Sequence, residues 1–342
     1  MKKKVSLKDI AQKVGVSTAL VSYVLNNQKT GRISKEVTQK IKDAATALNY
    51  RTNHIARSLK TNKTNAIGLI VADISNAFSS SLARIIEDEA SKNNYTVLFG
   101  SSDESASKSL KLINVLLNHQ VDGLIIAPAE DALSQIQYLQ ENEVPFVLID
   151  RYIADAKASY VAIDNYKAAY SIVEHVIEND NKRIGIITFN SSLFHLQERK
   201  RGYISAMKEH KLPVKKSWMK EVSINNTKQD TERAIDELLS LPEPVEAILF
   251  ASNTLSVFGL KYINTLSIKV PDDLAIASFD ESDAWELFYA PLTHIKQPLQ
   301  QMGQLATKLL LDSIDKNNEI TQVNMEAELI IGKSTTRRKN VI

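Results

Sequence analysis

Leu7-Lys-Asp-Ile-Ala-Gln-Lys-Val-Gly-Val-Ser-Thr-Ala-Leu-Val-Ser-Tyr-Val-Leu-Asn26 is a pair of short amphipathic segments broken by one glycine. Leu7, Ile10, Ala11 and Val14 recur at helical spacing, so one face of the first segment is apolar. Gly15 supplies a turn, and Ser17 is placed to cap a second helix through its hydroxyl. Val21, Val24 and Leu25 give that second helix its own buried stripe. Thr18, Ala19, Ser22 and Tyr23 then point away from the core, where a helix laid in the DNA major groove presents its reading residues.

Working outward, charge segregates around this segment. Residues 1–65 hold eleven Lys and three Arg against Asp9, Glu36 and Asp43, a net of +11 in a chain whose total is +2. A basic head on an acidic body is the footprint of a nucleic-acid binder. The alternative, a small helical bundle with a solvated basic surface, does not account for helix-turn-helix spacing in the same place. A third helix is expected over about Ser34 to Leu48, with Val37, Ile41, Ala44 and Leu48 inward. The head domain thus occupies residues 1–50.

Residues 51–65 are polar and basic and contain one short helical turn, Ile55-Ala-Arg-Ser-Leu59. Such a turn is too short to be stable alone and orders only against a partner. It reads as a hinge.

From residue 66 onward, short apolar runs alternate with amphipathic stretches. The runs are Ile67–Val71, Thr96–Phe99, Gly123–Ala127, Phe146–Ile149, Tyr160–Ile163, Ile184–Phe189, Ala247–Phe250 and Leu274–Phe279. Apolar strands alternating with helices imply parallel sheets covered on both faces. That many strands over this length divide better into two lobes than one sheet. In such sheets ligands bind beyond the carboxyl ends of the strands.

Composition removes several classes. There is no cysteine, which excludes disulfides and thiolate chemistry. No run approaches a membrane span, and Lys8, Asp9, Gln12 and Lys13 interrupt any signal-peptide core after the basic start. The expected location is the cytoplasm. Phosphate-binding glycine motifs and the nucleophile elbow are missing, and the histidines show no metal spacing, so no enzyme, no metal and no cofactor are expected. A secreted sugar-binding protein would share the body but not the basic head. An enzyme of sugar metabolism would share the α/β body but should carry phosphate-binding glycines.

Seven ordered segments carry a resemblance. They are Gly15-Val-Ser-x-x-x-Val-Ser-x-Val-Leu-Asn26, Asn53-x-Ile-Ala-Arg-Ser-Leu59 leading into Ile67-Gly-Leu-Ile, Asp73-Ile-Ser-Asn-x-Phe78, Gln120-Val-Asp-Gly-Leu-Ile-Ile126, Val144-Pro-Phe-Val-Leu-Ile-Asp150, Ser278-Phe-Asp280 and Pro291-Leu-Thr-x-Ile-x-Gln-Pro298. Together, over about residues 5–338, they resemble the lactose-repressor/galactose-repressor (LacI/GalR) family of bacterial transcription regulators. The resemblance implies an all-α helix-turn-helix DNA-binding head and an α/β periplasmic-binding-protein-like core of two Rossmann-like lobes. It also implies a homodimer on double-stranded, pseudo-palindromic operator DNA and a small-molecule effector between the lobes. The core would span 66–338, with lobes of about 66–163 plus 293–322 and about 164–292 plus 323–338, and a tail at 339–342. No leucine heptad follows the core, so a tetramer of the lactose-repressor kind is not expected.

By position in the family, Thr18, Ala19 and Tyr23 are base readers, and Ser17, Ser22 and Asn26 suit phosphate contacts. Leu20 and Tyr23 stand where relatives often carry other residues, which leaves the operator sequence open. Lys29 and Arg32 lie in a loop that looks longer than usual, either as backbone contacts or as a solvated turn. Ala56 and Leu59 fall on the hinge helix, where the family's leucine wedges into the central minor-groove step. The alternative for Leu59 is packing against its own core.

For the effector, the resemblance points to Asp150, Arg199 and Asp280, with Phe78 as a stacking aromatic and Ser252 or Asn253 as a polar contact. Arg151 and Glu281 flank these positions. Structural salt bridges are the competing reading for the charged three, and core packing for Phe78. A sugar or sugar derivative is the expected ligand, with a purine or nucleoside as the alternative.

Overall fold

A computed structural model describes residues 5–26, 33–50, 63–316 and 319–336. The chain divides into two compact units, Met1–Thr64 and Asn65–Ile342.

In the first unit, α1 (Leu7–Val14), α2 (Thr18–Leu25) and α3 (Lys35–Ala47) pack around Ile10, Ala11, Val21, Val24, Ile41, Ala44 and Ala45. Each helix begins at a serine whose hydroxyl accepts from a main-chain amide three residues on, Ser6 from Asp9, Ser17 from Leu20 and Ser34 from Val37. At Ser6 the arrangement is reciprocal, because the Asp9 carboxylate accepts the Ser6 amide at 2.8 Å. Gly15 ends α1 with φ +77°, the left-handed turn that swings α2 across α1. These serines and this glycine are the residues whose local preferences define a helix-turn-helix.

The second unit holds two six-stranded sheets. The first comprises β1 (Ala66–Val71), β2 (Thr96–Ser101), β3 (Gly123–Ile126), β4 (Phe146–Ile149), β5 (Tyr160–Ile163) and β11 (Gln322–Met325), in the order β11-β5-β4-β3-β1-β2. The second comprises β6 (Ile184–Phe189), β7 (Met219–Val222), β8 (Ala247–Phe250), β9 (Ala275–Phe279), β10 (Thr293–Lys296) and β12 (Glu328–Ile330), in the order β12-β10-β9-β8-β6-β7. The two orders correspond strand for strand. All ladders are parallel except β10 with β12.

Sheet membership moves two lobe boundaries. Thr293 to Ile295 pair with Ala277 to Phe279 of β9, so β10 belongs to the second lobe. Gln322 to Met325 pair with Tyr160 to Ile163, so β11 belongs to the first. The crossings therefore follow Lys296 and Met325 rather than falling near Leu292 and Val323. The reason is that each segment completes a ladder with its departing lobe before the chain leaves it.

Helices α4 (Ala77–Lys92), α5 (Ala106–Asn118), α6 (Leu133–Glu141) and α12 (Leu299–Ile314) follow strands of the first lobe or pack on them. In the second lobe α7 (Asn165–Glu178), α8 (Phe194–Glu209), α9 (Thr227–Leu239), α10 (Asn253–Ile263) and the single turn α11 (Ala284–Leu287) do the same. Helices α7 and α8 pack closely. A Cβ on Gly202 would stand 2.3 Å from the Tyr166 carbonyl oxygen, so only glycine permits this approach. That contact holds α8 against α7, and three residues of α8 line the crevice described next.

Candidate functional site

The carboxyl ends of both sheets face one cavity of about 240 Å³. The segments that follow β1 to β4 in the first lobe and β6 to β9 in the second contribute to it. From the first lobe come Asp73, Asn76 and Phe78 after β1, Glu104 after β2, Glu130 after β3, and Asp150 and Arg151 after β4. From the second come Phe189, Ser191, His195 and Arg199 around the end of β6 and start of α8, Ser252 and Thr254 after β8, and Asp280 after β9.

Arg199 is held on three sides. Its Nε donates to Asn165 Oδ1 at 2.8 Å, its Nη1 to the Ala251 carbonyl at 2.7 Å, and Nη2 lies 4.0 Å from Asp280 Oδ1. The guanidinium carbon sits 4.1 Å from the centroid of the Phe279 ring. Asp280 Oδ1 in turn accepts from Gln297 Nε2 at 2.7 Å, and the Asp280 carbonyl accepts from Trp285 Nε1 at 2.8 Å. In the opposite wall Arg151 forks onto both oxygens of Glu104, at 2.5 and 2.7 Å, with its Nε 3.4 Å from Asp150 Oδ2.

These environments pull the titrating groups apart. Burial pushes the Asp150 carboxyl up to about 6; Arg151 and Arg199 pull it down, Asp280 and Glu104 push it further up. Burial, then Arg151 and Arg199, hold His195 well below its ordinary value, so the imidazole is neutral. Its Nδ1 is buried without a hydrogen-bond partner among the described residues.

Of the residues singled out in the sequence, Phe78, Asp150, Arg199, Ser252 and Asp280 line the cavity together. Asn253 does not line it. Its amide Nδ2 donates to Asn76 Oδ1 at 3.1 Å, while Ser252 caps α10 through Leu255 N. Arg151 is in the wall, but Glu281 is not, being paired with Lys296 at 2.6 Å. Sequence reading missed Glu104, Glu130 and His195. The two glutamates follow strand ends, where the strand-terminus rule points; nothing around His195 marked it out.

In the head, Ser17, Thr18 and Ala19 are exposed at the start of α2, and Ser22, Tyr23 and Asn26 are half-buried along it. Asn26 Nδ2 donates to the Ser22 carbonyl at 2.8 Å, which closes the helix. Leu20 packs against the three-helix core, which accounts for an apolar residue at that position. Lys29, Arg32, Ala56 and Leu59 lie outside the described residues, as does the tail. Among the described residues no group of His, Asp and Glu could hold a metal ion, and no helix is long and apolar enough to cross a membrane.

A small head with an exposed α2 and a two-lobed core closing on a polar cavity can be compared with known proteins. The model for bacterial regulatory proteins of the lacI family matches residues 6–53, and that for periplasmic binding proteins and the sugar binding domain of the LacI family matches residues 64–331. The chain belongs to the LacI family. It is similar to the probable HTH-type transcriptional regulator EndR of Paenibacillus polymyxa, with 30% identity over 92% of each chain. It is equally similar to the HTH-type transcriptional repressor CytR of Escherichia coli (strain K12), with 30% identity over 96% of each. The crystal structure of the Lac repressor dimer bound to operator and the anti-inducer ONPF shares the fold, with a TM-score of 0.84 over 98% of this chain and 100% of that one at 20% identity. This LacI-family chain is a DNA-binding transcriptional regulator with an effector-binding core, and not an enzyme.

Proposed function

We propose that this regulator works in the cytoplasm as a homodimer whose operator affinity is set by an uncharged, polyhydroxylated effector, a sugar or sugar derivative, in the crevice. The observation that carries this is the composition of the cavity wall. Asp73, Glu104, Glu130, Asp150 and Asp280 outnumber Arg151 and Arg199, and Arg151 is already forked onto Glu104. Such a wall repels phosphate or carboxylate groups, while carboxylates accept from hydroxyls and Arg199 donates. Phe78 and Phe189 offer apolar faces for a ring. On this reading Asp150, Arg199, Asp280 and Ser252 bond the ligand, and Asn253 supports Asn76 beside it.

In the head, Thr18, Ala19 and Tyr23 read base edges, while Ser17, Ser22, Asn26 and Arg32 meet phosphates. Ala56 and Leu59 belong to a hinge that orders on the minor groove, with Leu59 as the wedge. Effector and operator then share one reciprocal coupling free energy.

A thermal-shift screen of neutral sugars, sugar phosphates, purines and nucleosides, followed by operator titration with each hit, tests this. Neutral sugars should raise Tm and change operator affinity. Hits confined to sugar phosphates or to purines and nucleosides overturn the reading of the effector.

A further inference from the structure

Two loops meet across the mouth of the crevice. Glu130 follows β3 in the first lobe, and Ser191 and Ser192 follow β6 in the second. The Ser192 amide and hydroxyl both donate to Glu130 Oε1, each at 2.6 Å, and the Ser191 hydroxyl donates to Oε2 at 3.1 Å. Both carboxylate oxygens are therefore engaged by the opposite lobe. Burial pushes this carboxyl up, but the bonds from Ser192 and Ser191 outweigh it and hold the group below its ordinary range, so it is an anion at neutral pH.

The serines are tied in turn to α8. Ser191 Oγ accepts the Leu193 amide at 3.2 Å, and the Ser191 carbonyl accepts Gln197 Nε2 at 2.6 Å. That helix carries His195 and Arg199 into the cavity wall. Among the described residues, two other direct side-chain contacts between the lobes involve uncharged groups. Asn76 exchanges bonds of 3.1 and 3.4 Å with Asn253 and Thr254, and the Tyr152 and Phe194 rings lie 5.0 Å apart. Bonds to an ionised acceptor are shorter and stronger than neutral ones. Glu130 is thus the strongest of these three ties.

We infer that Glu130 is a latch, a positioning residue that holds the two lobes closed and sets the start of α8 against the cavity before any ligand enters. Its consequence for regulation rests on the effector reading above; the closure itself does not. The latch biases one member of a two-state pair, and an effector shifts that pair only by its difference in affinity for the two states.

The chain has no cysteine, so Lys111→Cys in α5 and Lys228→Cys in α9, both at exposed positions, place a unique spin-label pair across the lobes. Labelled full-length chains, mixed with excess unlabelled chains and free of effector, give the inter-lobe distance distribution by pulsed dipolar spectroscopy. Glu130→Ala should lengthen it, raising the open fraction by roughly tenfold for the loss of charge-assisted bonds. Glu130→Gln, which keeps an acceptor oxygen for the Ser192 amide, should fall between. Ser192→Ala should also lengthen it, and Ser192 does not line the cavity, so a lost ligand contact cannot be the cause. An unchanged distribution in a folded Glu130→Ala overturns the latch; should that variant fail to fold, unchanged distributions in both Glu130→Gln and Ser192→Ala do so. Because no effector is present, this result is independent of whether a sugar is ever found to bind.

Discussion

Asp150 and Asp280 occupy equivalent places in the two lobes. Each directly follows the fourth strand of its half, β4 or β9, and each adopts a left-handed backbone, with φ +66° and +69°. Few residues besides glycine tolerate that conformation, and aspartate and asparagine are among them. The pairing of sheets thus delivers two carboxylates to one crevice from opposite sides. Their neighbours differ: Asp150 lies beside Arg151, and Asp280 beside Gln297 and Arg199. One fold feature, used twice, gives two sites of different electrostatics.

Asp150→Asn should therefore stabilise the effector-free protein in a pH-dependent way. The native carboxyl is raised from its ordinary 3.8 to about 6, so the folded state binds the extra proton between these values and wild-type stability falls as pH rises through them. Above pH 6 the full penalty applies, about 3 kcal/mol from a shift of this size. Asparagine fits the left-handed backbone and carries no charge. Denaturant titrations at pH 4 and pH 7.5 should show the variant little changed at the lower pH and clearly more stable at the higher. Equal differences at both values would count against a raised Asp150.

Arg199 makes the opposite prediction. Its side chain is 4% exposed and bonded to Asn165 and the Ala251 carbonyl, with Asp280 at its open side. Arg199→Ala removes the donor from two acceptors, Asn165 Oδ1 and the Ala251 carbonyl, and leaves one buried carboxylate without its cation, a loss of about 3 kcal/mol. Arg199→Lys should recover only part of this, since an ammonium cannot reproduce the fork. Equilibrium unfolding of the two variants at one pH gives the measure. Equal stability of wild type and Arg199→Ala would show that the bonds are replaced by water.

Much of this was legible in the sequence for physical reasons. Fully buried strands such as Ile184–Phe189 read as continuous apolar runs, and the serine caps and Gly15 announce the head. Most of the missed strands are edge ones: β7 is Met-Lys-Glu-Val, and β11 alternates exposed and half-buried residues along Gln-Val-Asn-Met, while the interior β10 was missed because Thr-His-Ile-Lys holds a single apolar residue. The edge segments carry no apolar run because one side faces water. Asp150, Arg199 and Asp280 were reached through the family resemblance, each standing at a strand end or near a helix start. Glu130 and Ser192 were not, because a bond between lobes depends on how far the crevice closes, which no local pattern encodes.

Leu59→Ala tests the proposed minor-groove wedge. An apolar wedge between base steps stabilises a bent operator, so its loss should weaken operator binding by at least tenfold, about 1.4 kcal/mol, at fixed salt. The melting temperature of the core should not move. A matching loss of core stability would instead indicate that Leu59 packs on its own protein.

The head offers the sharpest separation of structure from recognition, because Ser17 and Thr18 are neighbours with different proposed roles. Ser17 Oγ accepts the Leu20 amide at 3.2 Å, satisfying one of the open donors at the start of α2. Ser17→Ala should therefore cost the head about 1 kcal/mol of stability, and operator binding should weaken for every sequence alike. Thr18 is exposed as the first residue of α2. Thr18→Ala improves intrinsic helix propensity slightly, so the head should stay as stable or gain. Its effect should appear in sequence preference, with discrimination at one base pair of each half-site falling by about 1–3 kcal/mol. Selection from a randomised operator pool, run in parallel with thermal unfolding of the two variants, distinguishes the roles. An unchanged preference with Thr18→Ala would remove Thr18 from the base-reading set, and an altered preference with Ser17→Ala would add Ser17 to it.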